Sequence, residues 1–273
     1  MPQPSLVVVS DLDGTLLDHA TYDFAPARGA LDRLRDEGIP LVLCTSKTRA
    51  EVEPLREAIG NRDPFIVENG GGVFIPVGYF PFDIADAERR GDYWLVSIGD
   101  PYPDLVRALE QAALATGVRV QGFASMSDEA VAEATGLALR EARLARDREF
   151  DEPFVILDVE RGPALLARIK YGGKQWTRGG RFYHIIGASN KAVAVNRLIE
   201  LYRRSLGSIQ SVGLGDAPND AGFLSVVDIP IVIASSHATR LRTLVPRARV
   251  TNLPGPAGWS EAVVALLSQR RAP

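Results

Sequence analysis

Leu6-Val7-Val8-Val9-Ser10-Asp11-Leu12-Asp13-Gly14-Thr15-Leu16 is the stretch that decides the fold class of this chain. The run from Leu6 to Ser10 is β-branched and lacks polar alternation, as expected of a strand covered on both faces. Such strands build parallel sheets whose carboxyl ends carry ligands. Two carboxylates one residue apart at that end raise each other's pKa. A divalent cation between them relieves the repulsion, and hard oxygen ligands select Mg²⁺. One carboxylate of such a pair can attack phosphorus, and the other can protonate the leaving oxygen and later deprotonate water. Taken alone, the motif is equally compatible with an Asx-rich turn closing a strand.

Outward from this stretch the pattern alternates. A helix is expected from Pro26 to Glu37, a buried strand from Pro40 to Cys44, a helix from Arg49 to Ile59 and a strand at Phe65-Ile66-Val67, with Val73-Phe74-Ile75 returning as a hairpin. The alternation resumes late in the chain. Asn190 to Arg204 reads as helix, Ile209 to Leu214 as strand, Asn219 to Val226 as short helix and Ile229 to Ile233 as strand. Val250-Thr251 reads as a short edge strand, and Trp259 to Leu267 as a closing helix. This order predicts an α/β fold with a doubly wound, Rossmann-like parallel sheet. Residues 1–81 and 188–273 form the expected core. Residues 82–187 form an expected α+β insertion, whose strands include Tyr93–Ser97, Arg119–Gln121, Phe154–Leu157, Lys174–Trp176 and Phe182–Ile185.

With 273 residues, 46% hydrophobic and 24% charged, the chain has ample material for a core. Its net charge of −3 provides no basic field for nucleic acid or an anionic membrane. A small anionic substrate therefore needs a local positive pocket. No apolar run approaches the ~20 residues of a membrane span, and no signal peptide is visible. The single cysteine, Cys44, lies in an apolar run and reads as a buried, inert thiol suited to a reducing cytoplasm.

Three further strand ends or helix starts carry polar clusters. Thr45-Ser46-Lys47-Thr48 follows the second strand, where a hydroxyl and an N–H can grip a phosphoryl oxygen or simply cap a helix. Lys191 opens a helix against the macrodipole, which fits an anionic partner or a solvated lysine. Gly215-Asp216-Ala217-Pro218-Asn219-Asp220 places two carboxylates and an amide at a strand-to-helix turn, suited to Mg²⁺ or to capping.

In this order the four signals resemble the haloacid dehalogenase-like phosphatase superfamily. The insertion resembles the α/β cap of its Cof-type branch, and Asn69-Gly70 resembles that branch's loop beside the site. The resemblance implies Asp11 as nucleophile, Asp13 as acid/base, and Thr45 and Lys191 as holders of the phosphoryl group. It also implies Mg²⁺ bound by Asp11, the Asp13 carbonyl and Asp216, with Asp220 and Asn219 supporting. A narrower resemblance, to the mannosyl-3-phosphoglycerate phosphatase family, rests on Thr45-Ser46-Lys47-Thr48-Arg49-Ala50-Glu51, Glu68-Asn69-Gly70-Gly71, Arg148-Glu149-Phe150-Asp151-Glu152-Pro153-Phe154, Gly179-Gly180-Arg181-Phe182-Tyr183-His184 and the Ala217-Pro218 pair inside the acidic turn. Ala192 departs from it, standing where a glycine follows the lysine in that family.

Membership would imply hydrolysis of 2-O-(α-mannosyl)-3-phosphoglycerate to mannosylglycerate, a compatible solute. Ser46, Lys47, Asn69, Gly70, Arg148, Arg181 and His184 are the candidate substrate contacts, because a phosphate, a carboxylate and a sugar need cations beyond the phosphate site. A core histidine is an equal reading of His184, and Trp94 and Trp176 read as packing rather than sugar stacking. Glucosyl-3-phosphoglycerate is the nearest rival substrate, and a non-catalytic sugar-phosphate binder is the rival class. The sequence sets no oligomeric state.

Overall fold

A computed structural model describes residues 4–179 and 181–271. Gly180 and the outermost residues of the expected core segments lie outside these described residues. Along the chain run β1 (Ser5–Ser10), α1 (Arg28–Asp36), β2 (Leu41–Cys44), α2 (Arg49–Ile59), β3 (Phe65–Val67), β4 (Gly72–Pro76), β5 (Ala87–Arg90) and β6 (Tyr93–Ser97). Next come α3 (Tyr102–Thr116), β7 (Val120–Gly122), α4 (Asp128–Thr135), α5 (Leu139–Arg146), β8 (Asp151–Ile156), α6 (Gly162–Tyr171), β9 (Gln175–Gly179) and β10 (Phe182–Ile186). The chain closes with α7 (Lys191–Leu206), β11 (Ile209–Gly215), α8 (Ala221–Val226), β12 (Ile229–Ala234), α9 (Ala238–Leu244), β13 (Arg249–Pro254) and α10 (Gly255–Arg271).

The larger sheet has the order β13-β12-β11-β1-β2-β3-β4-β6-β5. From β13 to β3 every neighbouring pair is parallel, and β4, β6 and β5 continue antiparallel. The chain leaves β1 toward β2 on one side and returns through β11 on the other, which makes β1 a topological switch point. Ligands bind beyond the carboxyl ends of strands at such a point.

Side chains of β1 divide between two cores. Leu6 and Val8 pack with Leu34 of α1 and with Trp259 and Leu266 of α10. Val7 and Val9 pack with Leu198 and Tyr202 of α7 and Leu224 of α8. That two-sided burial explains the unbroken apolar run.

Tyr93–Ser97 corrects the sequence expectation. Together with β5 it extends the larger sheet rather than the insertion's sheet, pairing through β4. The smaller sheet, β7-β8-β10-β9, is wholly antiparallel and comes from residues beyond that point. Leu105 and Leu109 of α3 and Leu165 and Ile169 of α6 cover one of its faces, against Phe154 and Ile185. On the other face, Phe182 packs with Phe123, Val131 of α4 and Ala142 of α5.

The insertion is clamped to the core at more than its two connections. Glu68 and Asn69 follow β3 with φ of +48° and +57°, a left-handed conformation that non-glycine residues adopt only under local compulsion. The compulsion is visible. The Glu68 carboxylate accepts hydrogen bonds from the backbone N–H groups of Glu149, Phe150 and Asp151. Thr48 donates to the Leu144 carbonyl at 2.8 Å while its side chain also caps α2.

Candidate active site

The carboxyl ends of β1 and β11 bring Asp11 and Asp216 together, and the turn after β11 adds Asp220. Carboxylate oxygens of these three residues lie within 4.8 Å of one another, and all three are buried. Lys191, at the first turn of α7, reaches into the cluster. Its Nζ donates to Asp11 Oδ1 at 2.5 Å and to Asp220 Oδ1 at 2.7 Å. Burial works against the ammonium charge, but Asp11 and Asp220 outweigh it and raise the lysine pKa well above its ordinary value.

Asp220 is fully engaged. Its Oδ2 accepts from the N–H groups of Asp216 and Ala217, each at 3.1 Å, so it shapes the turn and holds Lys191. Asn219 lies half-buried beside it in the same turn. Thr15 donates to Asp216 Oδ1 at 3.1 Å, and a Cβ on Gly14 would stand 2.7 Å from Asp216 Oδ2. Only glycine lets the two loops close this tightly.

Asp13 is partly exposed at the rim, where its Oδ1 sits 3.1 Å from Lys47 Nζ. Lys47 also lies 3.9 Å from Glu51 and 4.7 Å from the Tyr22 ring. Burial opposes its charge, but Asp13 and Glu51 outweigh that and raise its pKa. Thr45 is buried, with its Oγ1 accepting from the Lys47 N–H at 3.1 Å in a tight local turn. The Asn69 N–H donates to the Thr45 carbonyl at 3.0 Å, which docks the Asn69-Gly70 loop against the Thr45–Lys47 segment.

Electrostatics define what the cluster accepts. Burial first, and the neighbouring Asp220 second, push Asp11 well above the carboxylate range and Asp216 up to about 7. One lysine does not balance three buried acids. The donors are all oxygen, which fits a hard divalent cation at Asp11 and Asp216. Cys44, directly beneath, is pushed up to about 12 by burial and is inert as a nucleophile.

One of the expected substrate contacts is not presented to a ligand, and a second makes a contact within the insertion. Arg148 has a side chain only 3% exposed, paired with Asp151 Oδ1 at 2.7 Å. Its Nε donates to the Asp151 carbonyl, Nη1 to the Ala145 carbonyl and Nη2 to the Ser46 carbonyl. With every nitrogen engaged, Arg148 fastens the insertion to the Thr45–Lys47 segment instead of reading substrate. Arg181 is exposed and donates to the Thr135 carbonyl at the end of α4, a contact within the insertion. Ser46 is half-buried and contributes its carbonyl to Arg148. His184 is held by Asp151, with Nδ1 at 2.9 Å from Oδ2, and Asn69 donates to the same oxygen at 2.8 Å. Burial pushes Asp151 up, but Arg148 and His184 outweigh it and hold the carboxyl below its ordinary range.

Sequence reasoning missed the residues that support these groups. Trp259 donates from Nε1 to Ser10 Oγ at 2.9 Å, and Ser10 donates to the Asp11 carbonyl at 2.7 Å. Ser235 donates to the Asp216 carbonyl at 2.8 Å. Glu68 and Asp151 were visible only as members of family-like strings.

Glu152 provides a separate test of burial. It is 1% exposed, accepts from Tyr102 OH and the Ala124 N–H, and is pushed up to about 7 by desolvation, which outweighs both donors. The folded pKa lies above the unfolded value of 4.5, so the folded state holds the proton longer and stability falls as pH rises from about 4.5 to about 7. Glu152→Gln mimics the protonated form. Relative to the native chain it should gain about 3 kcal/mol between pH 4.5 and pH 8 in urea unfolding. An equal difference at both pH values would show that Glu152 is not held protonated.

A family profile described as haloacid dehalogenase-like hydrolase matches residues 8–77. The chain belongs to that family. Over 265 residues it is 37% identical to the glucosyl-3-phosphoglycerate/mannosyl-3-phosphoglycerate phosphatase of Methanococcoides burtonii, covering 96% of this chain and 97% of the relative. It is 35% identical over 227 residues to the mannosyl-3-phosphoglycerate phosphatase of Pyrococcus furiosus, covering 83% and 90%. This kinship makes it a phosphoric monoester hydrolase. Among solved structures, the subclass IIB sugar phosphatase BT4131 of the same superfamily shares the fold, with a TM-score of 0.68 at 15% identity over 96% of this chain and 99% of that one.

Proposed function

We propose that this chain is a Mg²⁺-dependent phosphatase acting on mannosyl-3-phosphoglycerate and glucosyl-3-phosphoglycerate, through an aspartyl-phosphate on Asp11. The observation that carries the reaction is the Asp11–Lys191–Asp220 chain beside Asp216 and Asp13. The substrate rests on near-full-length kinship with a relative whose name gives both sugars and with one named for the mannosyl compound. No described helix is long and apolar enough to cross a membrane, and the lone buried thiol suits a reducing cytoplasm.

In this reading an Asp11 oxygen attacks phosphorus, and the bond to the glycerate oxygen breaks. Asp13 delivers a proton to that oxygen, then takes one from the water that cleaves the acyl-phosphate. Lys191 and the Thr45 hydroxyl hold phosphoryl oxygens, and Asp220 keeps Lys191 in place. Asp11 and Asp216 would hold Mg²⁺, which when bound would neutralise charge on the phosphoryl group. Lys47, at the rim beside Asp13, is the cation for the glycerate carboxylate. The insertion acts as a cap that excludes water over the site.

Phosphate release with Mg²⁺ should be compared for mannosyl-3-phosphoglycerate, glucosyl-3-phosphoglycerate and bare 3-phosphoglycerate. Fast release from both glycosylated compounds, and at least about 100-fold lower kcat/KM for the bare one, is the expected result. Equal slow release from all three would keep the phosphatase and remove the substrate. Tight binding without release would favour a sugar-phosphate binder.

A further inference from the structure

On the smaller sheet's second face Asp151 and His184 are buried, whereas Thr177 of β9 is half-buried. Tyr183 and Ile185 of β10 point toward α3 and α6 with Phe154. Side-chain alternation therefore turns His184 to the opposite face. Antiparallel register pairs His184 with Thr177 of β9 and with Pro153 of β8, and pairs Ile186 with Asp151. Asp151, His184 and Thr177 thus share one face. Phe182 at one end of this face is packed under α4 and α5, whereas β9 at the other end lies alongside the Pro218–Asp220 turn of the core. The Asp151–Asn69 hydrogen bond ties the same face to the loop that touches Thr45.

From this arrangement we infer that His184 and Thr177 form the subsite for the glycosyl hydroxyls, with Asp151 as a positioning residue that fixes the imidazole. This deepens the reading given under Proposed function and rests on it. Asp151 Oδ2 takes the Nδ1 side of the ring. Nε2 is then the nitrogen left to meet a ligand, because the partner of one ring nitrogen sets the role of the other. In the neutral ring Nε2 is an acceptor, the partner for a sugar hydroxyl. Thr177 Oγ1, directly across the strand pair, both donates and accepts. The bond between Asp151 and His184 keeps the ring from turning, so recognition loses little side-chain entropy.

His184→Asn is the discriminating variant. Its amide can keep the hydrogen bond to Asp151 while removing the distal nitrogen, so the sheet and the Arg148 pair stay satisfied. The expected result is a fall in kcat/KM for both glycosylated substrates on the order of 30-fold, carried by KM. The ratio of kcat/KM between mannosyl-3-phosphoglycerate and p-nitrophenyl phosphate, which has no sugar, falls by a similar factor. Thr177→Val lowers the same ratio by roughly 10-fold. An unchanged ratio in both variants, whether all substrates suffer equally or none does, overturns the subsite and leaves the phosphatase reading intact. Failure of the native chain to turn over either glycosylated compound overturns both readings together.

Discussion

Asp11→Asn protein is expected to release phosphate at least about 10⁴-fold more slowly than the native chain while keeping its fold. The amide is nearly isosteric but is a poor nucleophile toward phosphorus. It also cannot form the acyl-phosphate proposed for Asp11. Its effect on stability runs the other way. Burial and Asp220 already push Asp11 toward the neutral form, and a neutral side chain there relieves repulsion from Asp216 and Asp220. Melting temperature should therefore hold or rise as activity disappears. Turnover within tenfold of the native chain would remove Asp11 from the nucleophile's role.

Gly70→Ala should lower activity sharply through the backbone that places Lys191. Gly70 has φ of +94°, and an added Cβ would overlap the Asn190 carbonyl and stand 2.8 Å from the Lys191 N–H nitrogen. Those are backbone atoms at the start of α7, so nothing flexible can give way. Either the loop leaves Thr45 or the helix start moves and takes the Lys191 ammonium off Asp11. A stability loss of more than about 3 kcal/mol is expected, combining left-handed strain with overpacking. Activity should fall by more than about 100-fold, because small displacements at a site are costly. Gly78→Ala is the control: its φ is +80°, but no heavy atom stands within 4 Å of the added Cβ. It should cost only the backbone strain, on the order of 1 kcal/mol, with activity retained. Urea unfolding and phosphate release for the two variants decide the point. Equal losses would mean that the Gly70 crossing is not tight.

Much of the core was legible because its signals are local. A β-branched run followed by Asp11-Leu12-Asp13-Gly14-Thr15, and Val212-Gly213-Leu214 followed by Gly215-Asp216, mark strand ends within a few residues of sequence. Helix α2 announces itself by Thr48 and Glu51, whose capping box the structure contains. What was not legible has no such local mark. Strand β5, Ala-Glu-Arg-Arg, lies at the sheet edge with no buried residue, so it carries no apolar pattern to read. Helix α9 buries only Leu241, too little for a periodic stripe. Arg148 was misread because a charged residue in a family-like string suggests a ligand. Asp151 and the Ala145 carbonyl lie within three residues of it, but the Ser46 carbonyl and Glu68, which tie it to the core, lie far away in sequence. Ser10 and Trp259 are 249 residues apart, and nothing in either segment signals the other.

The Trp259–Ser10–Asp11 relay gives the chain an optical reporter of its own chemistry. The indole is fully buried and stands two hydrogen bonds from the backbone of Asp11. A change of charge or bonding at Asp11 alters the polarity around that fluorophore. The other two tryptophans, Trp94 in β6 and Trp176 in β9, lie outside this relay. Emission recorded during rapid mixing with substrate, in the native chain and in Trp259→Phe, tests whether an event at Asp11 precedes the appearance of free phosphate. The chain carries its probe in the wall of its candidate active site.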